Sequence, residues 1–232
     1  MRKLIRWLAV LLLIAGIGFF SYPIALKLAF ERSANQAMAD FDRLKSQASQ
    51  TTDEAGLYPE LRQAMDAYNR QLYADGQSGL VDPSSYEQPD FRLSDYGIDS
   101  DVLGYISIPA IDVKLPIYNG ASQENMTRGA AYLANTSLPV GGENTNCVIA
   151  AHTRHKGIPM FKRITELQQG DEIYITNFWE TLVYRVTETR VIDPTDIQNI
   201  YIQEGRSLIT LSTCHPYPHN YQRYLVYAEQ VS

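Results

Sequence analysis

Cysteine and histidine are both scarce in this chain. Its two cysteines are Cys147 and Cys214, and no spacing pattern indicates that they pair, so we expect two free thiols rather than a disulfide scaffold. The four histidines are His152, His155, His215 and His219. A zinc site from Cys147, His152, Cys214 and His215 or His219 is conceivable by ligand type, but the chain has no Cys-x-x-Cys pair to support it. We therefore expect no metal.

A broad basic surface is also missing. The 232 residues carry a formal charge of −6, which argues against nucleic acid as a partner. Hydrophobic residues make up 45% of the chain, enough for one substantial core, and there is no internal repeat. Sixteen tyrosines against seven phenylalanines favour a β-rich fold with a partly hydrated surface. We expect one globular domain and one anchor.

Charge is absent from the twenty positions 7–26, directly after the basic residues Arg2, Lys3 and Arg6. At about 1.5 Å rise per residue, a helix of this length spans roughly 30 Å, the thickness of a hydrocarbon core. A cleaved signal peptide is the alternative, but no small-x-small site follows closely. A retained single-pass helix is favoured. The positive-inside rule then places the basic start in the cytoplasm and the remaining chain outside the cell.

Residues 28–73 are rich in helix-forming residues and contain few breakers. Their apolar residues recur at spacings of three and four, which predicts a helical face that packs on the globular domain. These residues are Leu57, Leu61, Met65, Tyr68 and Leu72. A dimerising coiled coil is the alternative, although no long heptad run supports it. Glycines and prolines scattered through 74–100 predict an extended loop. We thus divide the chain into an anchor (1–27), a helical segment (28–73), a lid or linker (74–100) and a β domain (101–232).

From Asp101 onward, short β-prone runs alternate with turn residues, and their number predicts a closed barrel or a sandwich. A short helix is predicted over residues 159–167. The predicted strands are Val102–Ile108, Ile111–Ile117, Ala130–Leu133, Asn146–Ala151, Glu172–Thr176, Thr181–Val191, Ser207–Thr213 and Arg223–Glu229.

The stretch 207–227 predicts a strand, a loop and a second strand. Cys214 ends the first strand and Arg223 begins the second, so a thiol and a guanidinium face one site if the strands are neighbours. A cysteine nucleophile needs a base. His215 and His219 lie in the loop beside Cys214, where sequence neighbours usually point apart. His152 ends the apolar run 147–151 and is the better candidate.

Several separate motifs occur in order along residues 57–230. They are Thr210-Leu211-Ser212-Thr213-Cys214, Arg223 nine residues after Cys214, Pro216, Tyr217 and Asn220 between them, Gly104-Tyr105-Ile106-Ser107-Ile108-Pro109, Leu115-Pro116-Ile117-Tyr118 and Thr136-Ser137-Leu138-Pro139-Val140-Gly141-Gly142. This set resembles the sortases, which are membrane-anchored cysteine transpeptidases of Gram-positive bacteria, and in particular their class C, the pilin-polymerising branch. The resemblance implies a mainly β fold, the eight-stranded sortase barrel.

The resemblance also implies a reaction. Cys214 would attack the threonine carbonyl of a Leu-Pro-x-Thr-Gly sorting signal, His152 would protonate the leaving glycine amine, and Arg223 would stabilise the carbonyl oxygen. The class implies a pilin lysine as the acceptor amine, and a cell-wall precursor amine is the alternative. No metal or organic cofactor is needed. A membrane-tethered binding module without chemistry is a further alternative, against which the intact Cys214, His152 and Arg223 argue.

A lid is implied as well. In the class C branch the segment over the site carries Asp-Pro-aromatic, whereas this chain has Asp82-Pro83-Ser84-Ser85-Tyr86, with the aromatic residue two positions late. We expect a lid that uses Asp82, Pro83 and Tyr86, with a plain linker as the alternative. Cys147 is expected to pack in the core, with an inactivating disulfide to Cys214 as the alternative, and His155 is expected to be a solvated loop residue.

Overall fold

The computed structural model describes residues 2–51, 58–81 and 87–231 of the chain. The predicted lid residues Asp82, Pro83 and Tyr86 lie outside the described residues, as does Leu57. Within the described ranges, two long helices precede a mainly β domain. The predicted fold class is confirmed.

Helix α1 covers Arg2–Thr51 without a break, 50 residues that include Pro23. Its first half exposes large apolar side chains such as Trp7, Leu11 and Phe19. Its second half buries Ala34, Met38 and Phe41, at spacings of four and three, against the β domain. The separate anchor and helical segment that we expected are therefore joined in one helix, which is long and apolar enough to cross a membrane.

Helix α2 covers Pro59–Ala74. It begins with Pro59 and Glu60, which suit a first helical turn because proline lacks the N–H that would be unpaired there and the carboxylate opposes the helix dipole. Leu61 and Met65 are buried as predicted. Asn69, a position that the apolar pattern skipped, is buried too, and its side chain hydrogen-bonds both Leu138 N (2.7 Å) and Leu138 O (3.2 Å).

Ten strands and one short α-helix follow within residues 87–231. The strands are β1 (Val102–Ile108), β2 (Val113–Asn119), β3 (Ala130–Tyr132), β4 (Thr145–Ala150), β5 (Arg154–His155), β6 (Ile158–Pro159), β7 (Glu172–Thr176), β8 (Thr181–Ile192), β9 (Ser207–His215) and β10 (Gln222–Gln230), and α3 covers Gln123–Arg128. Eight of the strands close a barrel in the order β1-β2-β3-β4-β9-β10-β8-β7. The β2–β3 and β4–β9 pairs are parallel and the others antiparallel.

β9 extends to His215, two residues beyond the predicted end at Thr213, and so includes Cys214. Two other predicted elements differ from the structure in start or in type. The second strand starts at Val113 rather than Ile111, because Pro109–Ile111 forms a 3₁₀ turn that Asp112 ends with φ of 53°. The helix predicted over 159–167 is instead the small β5–β6 hairpin followed by a 3₁₀ turn, Ile164–Glu166. In both places a proline that cannot donate a backbone hydrogen bond coincides with the departure from the predicted element.

Two apolar clusters lie on either side of the sheet. The main cluster fills the barrel and extends under α1 and α2, and it includes Cys147, Ile149, Ile209 and Leu211. A smaller cluster on the outer face joins Leu80, Leu133, Val148, Ile200, Leu225 and Tyr227. Because side chains alternate along a strand, the outer face of β4, β9 and β10 presents Val148, Ser212 and Leu225 to the segments that cover it.

Candidate active site

Cys214 lies near the end of β9, two residues beyond Ser212. Ile209 and Leu211 point into the barrel, whereas Ser212 lines an outer groove. By alternation Cys214 shares the outer face with Ser212. It is half-buried and free, so its sulfur stands at the margin of the barrel between core and solvent.

Arg223 is the direct partner of Cys214 in the antiparallel β9–β10 pair. Arg223 lines the same outer groove as Leu225 and Ser212. It therefore lies on the outer face of the sheet, as Cys214 does. Directly opposed residues on one face have Cβ atoms about 5 Å apart. The guanidinium Nη1 donates to the carbonyl oxygens of Gln222 (3.0 Å) and Asn220 (3.3 Å), which fixes part of its fork against the β9–β10 hairpin.

His152 follows β4 on the other side of β9. The parallel β4–β9 register pairs Ala150 with Ser212, and the backbone N of Ala151 donates to Ser212 O at 3.2 Å. Continuing that register by two residues brings His152 level with Cys214, in the neighbouring strand position and on the same outer face. The three predicted residues are thus assembled side by side, in the order His152, Cys214, Arg223.

Two threonines hold this register beyond the end of β4. Thr213 Oγ1 donates to Ala151 O at 2.8 Å, and Thr153 Oγ1 donates to Cys214 O at 2.8 Å. The two hydroxyl oxygens are also 3.1 Å apart. The backbone on either side of His152 is therefore bonded to the backbone on either side of Cys214, although 62 residues separate the two in the chain.

The imidazole of His152 is half-buried and stacks on His155, with ring centroids 5.6 Å apart and an interplanar angle of 19°. Burial, and secondarily the charge of His155, lower the pKa of His152. Its Nε2 is buried without a hydrogen-bond partner among the described residues. A buried imidazole nitrogen without a partner costs stability, and a catalytic role is one explanation for such a group.

The other histidines occupy different places. His155 is part of the β5–β6 hairpin and stacks on His152, so our expectation of a solvated loop residue was wrong. The signal that sequence reasoning missed is the two-residue strand, which is too short for a periodic pattern. His215 packs on Tyr224 with centroids 5.6 Å apart, and His219 is exposed near Tyr221. Neither forms part of the His152, Cys214, Arg223 row.

Cys147 packs inside the barrel, 2% exposed, as expected. Burial strongly raises the pKa of its thiol, which keeps it protonated and unreactive. It pairs with Ile209 on β9, five residues before Cys214, a separation of about 16 Å at the usual rise per residue. A disulfide requires Cα atoms within about 7 Å, so the alternative of a Cys147–Cys214 bridge does not fit this fold.

A groove of about 290 Å³ runs along the outer face next to Arg223. Its floor includes Ala150 and Ser212, and one wall is the β8–β9 connection, with Thr195 and Ile197. Glu87, the first residue described after the predicted lid, lines the same groove. On the other side of that segment, Leu80 is fully buried in the outer cluster. Both flanks of the predicted lid therefore contact the outer face of the barrel.

The groove wall is held by buried amides. Asn146 donates to the carbonyl oxygens of Ile200 (3.1 Å) and Tyr201 (3.2 Å), and its own oxygen accepts from Thr210 Oγ1 at 2.8 Å. Gln77 accepts from the backbone N of Ile202 and donates to Asn135 O at 3.4 Å. Within the described residues, no group of three or more His, Cys, Asp and Glu side chains could hold a metal ion.

Comparison with known proteins agrees with this fold. A family model described as a sortase domain matches residues 106–231. A mutant of sortase C-1 from S. pneumoniae is 34% identical, with a TM-score of 0.73, over 85% of this chain and 98% of that one. A Clostridium perfringens sortase C, solved with the C-terminal cell wall sorting motif, is 33% identical, with a TM-score of 0.68, over 84% and 98%. Sortase A of Bacillus anthracis is 29% identical over 72% of this chain and 79% of that protein. The chain belongs to the sortase family of cysteine transpeptidases.

Proposed function

We propose that this protein is a membrane-anchored class C sortase that cleaves a Leu-Pro-x-Thr-Gly sorting signal and joins it to a pilin lysine. The observation that carries the proposal is the row of His152, Cys214 and Arg223 on three adjacent chain segments beside one groove. Family membership supplies the reaction class. The sortase C structures among its neighbours support the pilin acceptor, and the structure solved with a sorting motif supports the substrate class.

The first half-reaction uses the thiol of Cys214 and the imidazole of His152. Because its pKa is lowered, His152 is mainly neutral at neutral pH and can accept the thiol proton as the sulfur attacks the threonine carbonyl. The carbon–nitrogen bond to glycine then breaks, and His152 returns the proton to the leaving amine. A thioester to Cys214 remains.

Arg223 acts on the carbonyl oxygen. Negative charge develops on this oxygen as the tetrahedral intermediate forms, and a positive donor already fixed beside the thiol stabilises it. Two backbone carbonyls occupy Nη1, which leaves the other guanidinium N–H groups for the substrate. The nearby carboxyl group of Asp193 has a lowered pKa, first from hydrogen bonds with Thr195 and, more weakly, from the charge of Arg223.

The second half-reaction transfers the acyl group to an amine. The lysine ε-amine attacks the thioester carbonyl, an amide bond forms, and the sulfur of Cys214 leaves and recovers its proton. His152 serves as the base that takes the proton from the attacking amine, so one imidazole acts in both directions. The groove that receives the sorting signal lies along Ala150, Ser212 and the β8–β9 connection.

Helix α1 is the proposed anchor. Its run without charge, residues 7–26, exposes its apolar side chains, which a lipid core would cover. Arg2, Lys3 and Arg6 would remain in the cytoplasm and place the barrel outside the cell. We also propose that Asp82, Pro83 and Tyr86 form a lid, since Leu80 and Glu87 on either side of them contact the face that carries the groove.

Mass spectrometry of the full chain in detergent, mixed with a Leu-Pro-x-Thr-Gly peptide, tests the proposal. We expect an adduct on Cys214 whose mass equals the peptide up to its threonine, and release of the glycine fragment. Adding a folded pilin domain should convert the adduct into a product linked through a lysine. The Cys214→Ala variant is the control.

The outcomes separate the candidate functions. An adduct that resolves only with a short amine typical of cell-wall precursors, and never with pilin, would favour the anchoring alternative. A chain that binds the peptide but forms no adduct at any pH would leave only the binding module, and would contradict the proposed roles of His152, Cys214 and Arg223.

A further inference from the structure

The position of α1 on the barrel sets the height of the barrel above the proposed membrane. The run without charge ends at Leu26, and Lys27, Phe30 and Glu31 line a cavity together with Ile158, Pro159 and Met160 of the β5–β6 hairpin region. Residues 27–31 rise only about 7 Å beyond Leu26, which is roughly the depth of a headgroup layer. The hairpin that follows His152 therefore lies at headgroup level.

Strand directions place the active site at the same end. Along β1, Val102 lies near Leu44 of α1, Tyr105 contacts Phe41, and the strand then runs toward the Lys27 end of the helix. β2 is antiparallel to β1, β3 is parallel to β2, and β4 is antiparallel to β3, so β4 and its parallel partner β9 run in the same direction as β1. The antiparallel pairs on the other side of the barrel, β1–β7, β7–β8, β8–β10 and β10–β9, give the same direction for β9. Cys214 lies at the end of β9.

The opposite end of the barrel lies far from the bilayer. Lys45 of α1 donates to Asn177 O at 3.0 Å, beyond the end of β7. Eighteen residues separate Lys27 from Lys45, a rise of about 27 Å along the helix. The barrel thus has a membrane-facing end, which carries Cys214, and a distal end, which carries the start of β4 and the nearby α2.

Two segments of the membrane-facing end differ in charge from the whole chain, and the acidic residues of that end, such as Asp193 and Asp196, lie on the β8–β9 connection beside Arg223. Residues 151–165 and 209–228 contain no Asp or Glu, although the chain has a net charge of −6, and they hold all four histidines. We define the membrane-facing rim as the exposed residues Arg154, Lys156, Tyr217, His219 and Tyr221. The guanidinium of Arg154 lies over the Tyr217 ring, 5.9 Å from its centroid, which joins the hairpin to the β9–β10 loop.

Two other basic residues near this end have ion-pair partners. Lys27 pairs with Glu31 (3.6 Å), and Arg163 pairs with Glu166 (2.8 Å). In the described part of the chain, neither Arg154 nor Lys156 has an ion-pair partner. Two unpaired basic residues beside exposed tyrosines are the combination that suits the boundary between anionic headgroups and acyl chains.

We propose that the membrane-facing rim contacts anionic phospholipid headgroups, so that Cys214 operates at the bilayer surface and not about 27 Å above it. This inference rests on the proposed membrane anchoring. Arg154 and Lys156 supply attraction to lipid phosphates, and Tyr217 and Tyr221 supply aromatic rings for the interface. The groove beside Arg223 would then open toward the space just above the lipid, and sorting signals would enter it from there.

Fluorescence quenching in lipid nanodiscs tests the rim. The full chain, with Cys147→Ala to leave one thiol, carries a fluorophore on Cys214, and the nanodiscs contain a phospholipid with a quencher on its headgroup. A second probe on Glu143→Cys, in a Cys147→Ala, Cys214→Ala background, reports the distal end. We expect quenching at Cys214 to exceed that at the distal probe several-fold in anionic nanodiscs.

Two charge variants complete the test. Arg154→Gln with Lys156→Gln should reduce quenching at Cys214 several-fold, whereas Arg43→Gln with Arg70→Gln removes two charges from the distal half and should change nothing. Equal quenching at both probes, or unchanged quenching in the rim variant or in zwitterionic nanodiscs, would overturn the inference. Failure of the chain to associate with nanodiscs at all would instead contradict the proposed anchor.

Discussion

Cys214 and Arg223 are directly opposed residues of the β9–β10 pair, and the turn between the strands folds back so that Arg223 Nη1 bonds Asn220 O. The guanidinium is therefore set by backbone contacts of the same hairpin that carries the thiol. Both bonds come from Nη1, so the rest of the planar fork keeps its donors for a substrate, a geometry that an ammonium group does not reproduce.

Arg223→Lys keeps the charge and loses the fork. We expect kcat to fall at least tenfold, which corresponds to about 1.4 kcal/mol of barrier. Single-turnover measurement of adduct formation checks this, with Arg185→Lys on β8 as a control for the same substitution at an exposed position. A lysine variant with the wild-type rate would show that only diffuse positive charge is needed at this site.

The two cysteines should respond oppositely to removal. Cys214→Ala should abolish both peptide cleavage and the thioacyl adduct, because Cys214 is the thiol that the strand register places opposite Arg223 and level with His152. Cys147→Ala should retain activity and lose about 1 kcal/mol of stability, since it deletes one buried atom from the barrel interior. Adduct mass and thermal unfolding report the two effects. Comparable loss of cleavage in both variants, with both folded, would contradict the assignment.

His155 should control the acid limb of the pH–rate profile. The pKa of His152 is lowered by burial and by the charge of His155, and only the second cause disappears in His155→Gln. The pKa of His152 should then rise, so the pH below which kcat/KM falls should move upward. A profile measured from acid to neutral pH in wild type and variant tests this, with His219→Gln as the control. Coincident acid limbs would show that the two rings do not interact electrostatically.

The proposed lid predicts restricted access to the thiol. Asp82→Ala combined with Tyr86→Ala should speed the reaction of Cys214 with a bulky thiol reagent several-fold, because closure would no longer limit access. The matched control is Ser84→Ala combined with Ser85→Ala in the same segment. Stopped labelling reactions analysed by mass give the rates. If the double variant labels at the wild-type rate with its fold intact, the segment is a linker.

Gln77 should influence substrate binding from a distance. Its side chain ties the turn after α2 to Ile202, close to the groove wall of the β8–β9 connection. Gln77→Ala should raise KM for the sorting-signal peptide several-fold and change kcat less, since the wall shifts while the Cys214 row stays in place. Gln71→Ala, which breaks only an exposed contact to Asp75, is the control. A several-fold fall in kcat with unchanged KM would contradict the prediction that Gln77 affects substrate binding more than turnover.

The barrel strands could be predicted because each one has the same kind of sequence pattern. Runs such as 102–108 and 207–213 alternate or are continuously apolar and are bounded by turn residues, so their positions follow from periodicity. Cys214, His152 and Arg223 could be identified because each sits at the end of such a run. Their proximity required the closed sheet, and the family resemblance supplied that.

The β5–β6 hairpin and the buried amides depend on contacts that produce no periodic pattern in the sequence. The β5–β6 hairpin has two residues in each strand, so nothing in the sequence separated it from a helix. Asn69, Gln77 and Asn146 are polar and would be placed on the surface by composition. They are buried because their amides satisfy backbone groups of segments distant in the chain, such as Leu138, Ile202 and Ile200.

The order in which the strands occur along the chain has a consequence for when the enzyme becomes reactive. β10 comes after every other barrel strand, yet it inserts between β8 and β9, so the sheet stays open at that seam until β10 arrives. Arg223 is near its beginning and faces Cys214. Because synthesis begins at the N-terminus, an incomplete chain would already contain Cys214 but would lack Arg223, the group that stabilises the charge on the substrate. Cys214 would thus become fully reactive only when the barrel closes, and an incompletely synthesised chain would not react with peptides.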